Sequence, residues 1–264
     1  MPSVDYFLTK KPSDIQAVFV SDLHLSAQTD AFNRAFVHLL TDLSHLPHLN
    51  AVYILGDWLD GWIGDDDYLS LDSAQKNTHW LTPILTALTA LSQKNIAIYV
   101  MCGNRDFAIS QKLCDIFHGT LIKEPYQLTT KHHTIRLEHG DALCTDDKSY
   151  QRYRSIIRNR IILQILLMLP LSYRRKIAGN IKQQSHQDKQ KKSSNIMDVN
   201  PKTVQDALQH CDVLLHGHTH RPAIHTHENK TRIVLGDWRL TDQKVSAHIV
   251  MMIDDELHLA EFHA

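Results

Sequence analysis

Ala51-Val-Tyr-Ile-Leu55-Gly56-Asp57 is an apolar, β-branched run that stops on a glycine and then a carboxylate. A run this short and this apolar reads as a strand buried on both faces, as in parallel sheets covered by helices. Two further runs share the design. Ile15-Gln-Ala-Val-Phe-Val20 leads into Asp22-Leu23-His24, and Ile96-Ala-Ile-Tyr-Val-Met101 leads into Gly103-Asn104-Arg105-Asp106. Helical periodicity predicts helices over about Ala31 to Leu46 and His79 to Ser92 between them. Strand alternating with helix implies βαβ units. Sheets of that kind place ligands beyond the carboxyl ends of their strands, where Asp22, Asp57 and Asn104 fall.

Past Leu121 strands dominate: Thr134–Glu138, Val213–His216, Arg232–Leu235, Val245–Met252 and Leu257–Phe262. They predict a second sheet packed face to face on the first, with helices outside. Two of these strands again end on polar motifs, His139-Gly140-Asp141 and Gly217-His218-Thr219-His220. The series is interrupted over residues 146–200 by a helical, Lys- and Arg-rich segment, read as a cap inserted into a single domain of residues 1–264. Within it the polar, basic stretch Gln183–Ser194 is expected to be a loop.

Bulk properties narrow the function classes. The 264 residues are 43% hydrophobic and 22% charged, with net charge -1, as in an ordinary globular protein. That balance gives no electrostatic case for nucleic-acid binding, and no obligate protein partner is expected. Cys102, Cys114, Cys144 and Cys211 form no CxxC pair, which suits a reducing cytoplasm. No secretory leader is read at the N-terminus. The longest apolar stretch, Ile161–Leu171, contains Gln164 and Pro170 and is about half of the roughly 20 residues that span a bilayer.

Taken singly, each strand-end motif has an ordinary reading. Asp22 and His24 can sit in a plain loop, Asp57 can cap a turn, Asn104 can occupy a left-handed turn, and His139 can be structural. Residues two apart at a strand end point the same way, so Asp22/His24 and His218/His220 are each able to chelate. Five such motifs in order, each offering a metal-capable atom, favour a shared site. Carboxylates and an amide mixed with imidazoles suit a pair of divalent first-row ions such as manganese, which activate water and clamp a phosphoryl group.

The set D-x-H, G-D, G-N-x-D, H-G-D and G-H-T-H resembles the calcineurin-like metallophosphoesterase superfamily. The resemblance implies an α/β fold, a four-layer αββα sandwich. It also implies two Mn²⁺ ions, with Asp22, His24 and His220 on one, Asn104, His139 and His218 on the other, and Asp57 bridging. Many members carry a histidine acid where this chain has Arg105. Arginine is a poor acid but pairs well with phosphate oxygens, so the site favours a leaving group stable as an anion, as in pyrophosphate cleavage. The competing reading is that Arg105 only pairs with Asp106.

Gly56-Asp-Trp-Leu-Asp60, His139–Asp147 and Ile196-Met-Asp-Val-Asn200 further resemble the UDP-2,3-diacylglucosamine hydrolase family of lipid A biosynthesis. That resemblance implies hydrolysis of a lipid-linked UDP-sugar to UMP and 2,3-diacylglucosamine 1-phosphate, by water attack on the α-phosphorus, at the cytoplasmic face of the inner membrane. It assigns substrate contacts to Asn104, Arg105, Asp147, Ser185, Lys189, Lys192 and His218; Lys189 stands where the family commonly has Asn. Asn104, Arg105 and His218 are the catalytic candidates. Ile156, Ile157, Ile161, Ile162, Ile165, Leu166 and Leu169, beside several arginines, suit acyl chains and an anionic surface, though such a stripe can also be core. Other readings are a different nucleotide pyrophosphatase or phosphodiesterase, and a non-catalytic scaffold of the same fold.

Overall fold

The structure is a computed structural model that describes residues 1–191 and 198–264, with side chains described for 1–181 and 198–264. In chain order, α1 (Val4–Lys10) precedes β1 (Ile15–Val20), α2 (Asp30–Leu43), β2 (Ala51–Leu55), α3 (Asp66–Leu69), α4 (Ser73–Asn77), α5 (Thr82–Gln93), β3 (Ala97–Met101), α6 (Gln111–Asp115) and β4 (Thr120–Ile122). Then come β5 (Tyr126–Thr129), β6 (Thr134–Glu138), α7 (Lys148–Ile157), α8 (Arg160–Met168), α9 (Leu171–Lys191) and α10 (Pro201–Leu208). The chain ends with β7 (Val213–His216), β8 (Ala223–His227), β9 (Lys230–Val234), β10 (Arg239–Thr241), β11 (Lys244–Ile253) and β12 (Glu256–His263).

Strands β1, β2, β3 and β4 lie side by side in parallel, as the strand–helix alternation predicts. A second sheet runs β5-β6-β7-β9-β8. Period-2 alternation sorts the side chains. On β1, Val18 and Val20 face the helical layer while Ala17 and Phe19 face the other sheet. The registered residues Phe19, Tyr53 and Tyr99 stack across β1, β2 and β3 with ring centroids 4.8 and 4.7 Å apart, meeting Ile135, Leu137, Leu215 and Ile233 from the facing sheet. Outside the first sheet, α2 buries Phe36, Leu39, Leu40 and Leu43, which fall on one helical face. Outside the second, α10 buries Val204, Ala207 and Leu208 against Leu214. The layers run helix, sheet, sheet, helix, so the αββα sandwich holds.

Two expectations are corrected. β11 and β12 belong to the first sheet, not the second: β11 pairs antiparallel with β1, at Val18↔Met251 and Phe19↔Val250. Its pattern explains why. Val245, Ala247, Ile249, Met251 and Ile253 pack with the helical layer and Val250 with the inter-sheet core. A strand apolar on both faces can fill the open edge of β1, and nothing local specifies which edge it joins. Second, the stretch from Gln183 is helical as far as Lys191, because α9 runs on from Leu171. Gln and Lys are good helix formers and no Gly or Pro interrupts 180–191. Within the helical segment Asn159 divides α7 from α8, its Oδ1 accepting from Ile161 N and Ile162 N and starting α8 anew.

Candidate metal centre

Each motif starts within two residues of a strand end, and all but Gly103–Asp106 include a left-handed step. Asp22, His24, Asp57, His218 and His220 have φ of 54°, 51°, 51°, 67° and 56°. Asp and His tolerate this region better than most residues, but such strain persists only where surrounding contacts over-determine it. Those contacts are present. Asp22 N donates to Gly56 O (3.1 Å), His24 N to Asp57 O (2.9 Å), His218 N to Asp22 Oδ2 (2.9 Å) and Arg105 N to Asp57 Oδ1 (2.7 Å). The loops also approach too closely for side chains at two points. A Cβ at Gly103 would collide with the Asp57 carboxylate, and one at Gly217 with Ser21 and Asp22.

All seven residues expected to hold metal are brought together. Ligand atoms of Asp22, His24 and His220 lie within 4.8 Å of one another, and so do those of Asp22, Asp57 and His139. His139 Nε2 is 3.0 Å from Asn104 Oδ1 and 3.6 Å from Asp57 Oδ1, and its ring packs edge-on against His218 at 5.0 Å. His139 Nδ1 is 3.1 Å from Leu55 O. A carbonyl only accepts, so Nδ1 carries the proton and Nε2 is left to face the cluster, an arrangement that suits a metal ligand.

The electrostatics call for cations. Asp22 and Asp57 are 0% and 2% exposed, and among the described residues neither pairs with a lysine or arginine. Asp22 Oδ1 is 3.3 Å from His220 Nε2 but accepts no hydrogen bond of acceptable geometry. Burial opposes the charged imidazole, yet Asp57 and Asp22 push His139 up to about 9. Burial likewise opposes charge on His220, which the neighbouring carboxylates of Asp22 and Asp237 push up to about 9. Burial and the neighbouring His139 push His218 down to about 4. Buried carboxylates, imidazoles and one amide oxygen therefore fit a metal site.

Arg105 is half-buried on the same cavity floor. It does not pair with Asp106. That carboxylate is fully buried and accepts from Trp58 N (2.8 Å), Leu59 N (3.3 Å) and Gly103 N, tying the loop after β2 to the loop after β3. Among the described residues the Arg105 guanidinium has no ion-pair partner.

The cavity holds about 610 Å³. From the carboxylate–imidazole floor it passes Asp147, Tyr150 and Tyr153 toward Leu166, Ile177 and Ile181 of α8 and α9. Asp147 is buried and N-caps α7, accepting from Tyr150 N at 3.0 Å and Ser149 Oγ at 2.7 Å. The side chains of Ser185 and Lys189, and all of Lys192, lie outside the described residues.

Several neighbours escaped sequence reading. Asp237 Oδ2 lies 3.3 Å from His220 Nδ1, on the side away from Asp22. Its signal was present, since Leu235-Gly-Asp-Trp238 repeats Leu55-Gly-Asp-Trp58 after another strand. Glu124, Asp141, Arg154 and Arg158 form a partly buried cluster beside His139. Asp141 stands in the His139-Gly140-Asp141 motif, but no local pattern links it to the other three, which join it only in the fold.

No protein-family model matches the chain. A UDP-2,3-diacylglucosamine hydrolase of Serratia proteamaculans is 38% identical over 247 residues, covering 90% of this chain and 98% of its own. One of Pseudomonas putida is 40% identical over 227 residues, covering 84% and 90%. Among solved structures, a novel archaeal phosphodiesterase aligns with a TM-score of 0.44 at 12% identity, covering 93% of this chain and 98% of that one.

Proposed function

The chain belongs to the UDP-2,3-diacylglucosamine hydrolase family, and from that premise we propose that it cleaves the pyrophosphate of UDP-2,3-diacylglucosamine, releasing UMP and 2,3-diacylglucosamine 1-phosphate for lipid A biosynthesis. The observation that carries this reading is one continuous cavity with three chemistries. It has a carboxylate–imidazole floor, an arginine beside it that has no ion-pair partner among the described residues, and an apolar far end.

Two Mn²⁺ ions are the proposed cofactors. Asp22, His24 and His220 would hold one, Asn104, His139 and His218 the other, and Asp57 would be shared. Bound ions of this class supply Lewis-acid polarisation of a phosphoryl oxygen and a water nucleophile of lowered pKa. The protein's own groups do the rest. The Arg105 guanidinium forks onto phosphate oxygens as charge develops. With attack at the α-phosphorus the group that leaves is 2,3-diacylglucosamine 1-phosphate, a phosphate monoester stable as an anion, so the site has no need of a histidine acid at position 105. The expected substrate contacts are Asn104, Arg105, Asp147 and His218, with Ser185, Lys189 and Lys192 added from the family resemblance.

The acyl chains would occupy the end lined by Leu166, Ile177 and Ile181, making residues 146–200 a lipid-binding cap. Helix α8 buries no residue, and it exposes Ile161 (68%), Ile165 (59%) and Met168 (84%). Apolar surface on that scale marks an interaction site; beside Arg152, Arg160 and Arg175 it suits the cytoplasmic leaflet of the inner membrane. No helix of the described residues is long and apolar enough to cross a membrane, so attachment would be peripheral.

The test is UMP release from UDP-2,3-diacylglucosamine by chelator-treated protein, with and without added Mn²⁺. Activity should return with Mn²⁺, and hydrolysis in ¹⁸O-water should place the label in UMP. Label in the lipid phosphate would move the attack to the other phosphorus. Failure of Mn²⁺ to restore turnover where another divalent ion succeeds would replace the metal.

A further inference from the structure

One helix touches one half of the ligand cluster and leaves the other half alone. Arg158, at the end of α7, donates from Nη2 to Cys102 O (3.3 Å) and Gly103 O (3.4 Å), the two carbonyls that lead into Asn104. Its Nη1 lies 3.1 Å from Glu124 Oε1, and its Nη2 3.5 Å from Asp141 Oδ2. Arg154, one turn earlier, pairs with the same two carboxylates. Glu124 and Asp141 in turn bracket His139: Glu124 Oε2 accepts from His139 N at 3.1 Å, and Asp141 is two residues on. Tyr150 donates to Asp141 Oδ2 at 2.6 Å, and its ring lies 5.8 Å from that of His218. Asn104, His139 and His218 are thus each propped from α7.

The remaining ligands are supported from elsewhere. Asp22 accepts from Ser21 Oγ (2.6 Å), His220 leans on Asp237, and His24 sits 3.9 Å from Asp57. Among the described residues no hydrogen bond, ion pair or ring contact joins α7 to Asp22, His24 or His220.

We propose that Arg158, with Arg154 and Tyr150, is a positioning device that holds Asn104, His139 and His218 in ligating geometry, so that the second cation site exists only while α7 is docked. The first site would form without it. This rests on the two-cation reading of the centre. It goes further by making the two sites unequal and by tying one of them to the segment that carries the lipid-binding cap. Outer partners of metal ligands commonly matter about 10–100-fold in affinity. Linkage requires the effect to run both ways: the cation that α7 helps to bind must itself hold α7 in place.

The experiment is Mn²⁺ titration of the full chain by calorimetry and electron paramagnetic resonance, with hydrogen exchange of residues 148–157. Wild-type protein should take up two ions, show the spectrum of a coupled pair, and gain exchange protection in α7 as the second ion binds. Arg158→Gln should keep one ion, bind the second at least about tenfold more weakly, lose the coupled spectrum at two equivalents, and lose the metal-linked protection. Tyr150→Phe keeps the ring against His218 and removes only the bond to Asp141. It should weaken the same ion to a smaller extent, and it decides the matter if Arg158→Gln does not fold. Folded variants that both titrate like wild type would overturn the proposal while leaving the two-cation centre intact. Wild-type protein that binds fewer than two ions would overturn the centre, and the proposal with it.

Discussion

The strand-end loops and the helices over residues 148–191 are built in opposite ways. The loops are cross-tied to one another by hydrogen bonds. Four left-handed residues, Asp22, His24, Asp57 and His218, are held through their backbone N–H or C=O, Asp106 collects three N–H groups, and Gly103 leaves no room for a methyl. The cap helices are attached at two ends by arginines. Arg154 and Arg158 hold α7; Arg174 and Arg175 hold the start of α9 through Asp66 and Asp67. Between these ties α8 shows its apolar side chains to solvent. Chemistry that needs atoms fixed to a fraction of an ångström is built on rigid elements, whereas a lipid needs apolar area and room.

Substitutions in the loops should therefore act on turnover, and those in the cap on docking. The largest effect is expected from Asp57→Ala. Losing the shared carboxylate should lower kcat by at least about three orders of magnitude, since metal polarisation contributes several kcal/mol and each 1.4 kcal/mol or so is tenfold. Circular dichroism should show the fold retained; near-normal activity would break the contrast. Arg105→Ala should cost about 10²-fold in kcat/KM, the scale of one transition-state hydrogen-bond donor. Metal stoichiometry should not change, and a change confined to metal content would reassign Arg105 to the loop scaffold.

Smaller effects belong to the cap. Arg174 is 3% exposed and donates to Asp66, Ile63 O (2.7 Å) and Leu169 O (2.9 Å). Arg174→Ala should cost about 2 kcal/mol of stability by denaturant unfolding, less than a fully buried pair because Asp66 stays half in water. Hydrogen bonding to Arg174 holds the Asp66 carboxyl below its usual range. Its contribution is therefore complete above the ordinary carboxylate pKa and fades as pH falls through the lowered folded value. The cost of Arg174→Ala should shrink on acidification; a cost that grows would refute the pairing. Smallest in stability, within about 0.5 kcal/mol, should be Ile161→Glu with Ile165→Glu. That pair should still abolish sedimentation with anionic vesicles, and unchanged sedimentation would remove α8 from the docking surface.

Much of the fold was legible in the sequence, for a local reason. Ile15–Val20, Ala51–Leu55, Thr134–Glu138 and Val213–His216 are apolar runs bounded by polar or glycine residues, and each is a strand over those same residues. The seven candidate ligands were legible because each follows such a run. β4, β5, β8 and β10 were not, being short or half-exposed, and neither was the helical course of residues 183–191.

By itself the sequence determined which atoms could bind cations, since residue type and strand-end position are local properties. It also determined that position 105 carries an arginine, a residue type that is a poor acid and can pair with phosphate oxygens. Only the tertiary structure decided that β11 completes the first sheet, that Asp106 is taken up by backbone amides and not by Arg105, and that, among the described residues, α7 leans on Asn104, His139 and His218 but not on Asp22, His24 or His220. Those facts depend on contacts between residues far apart in the chain, which packing brings together and no local periodicity encodes.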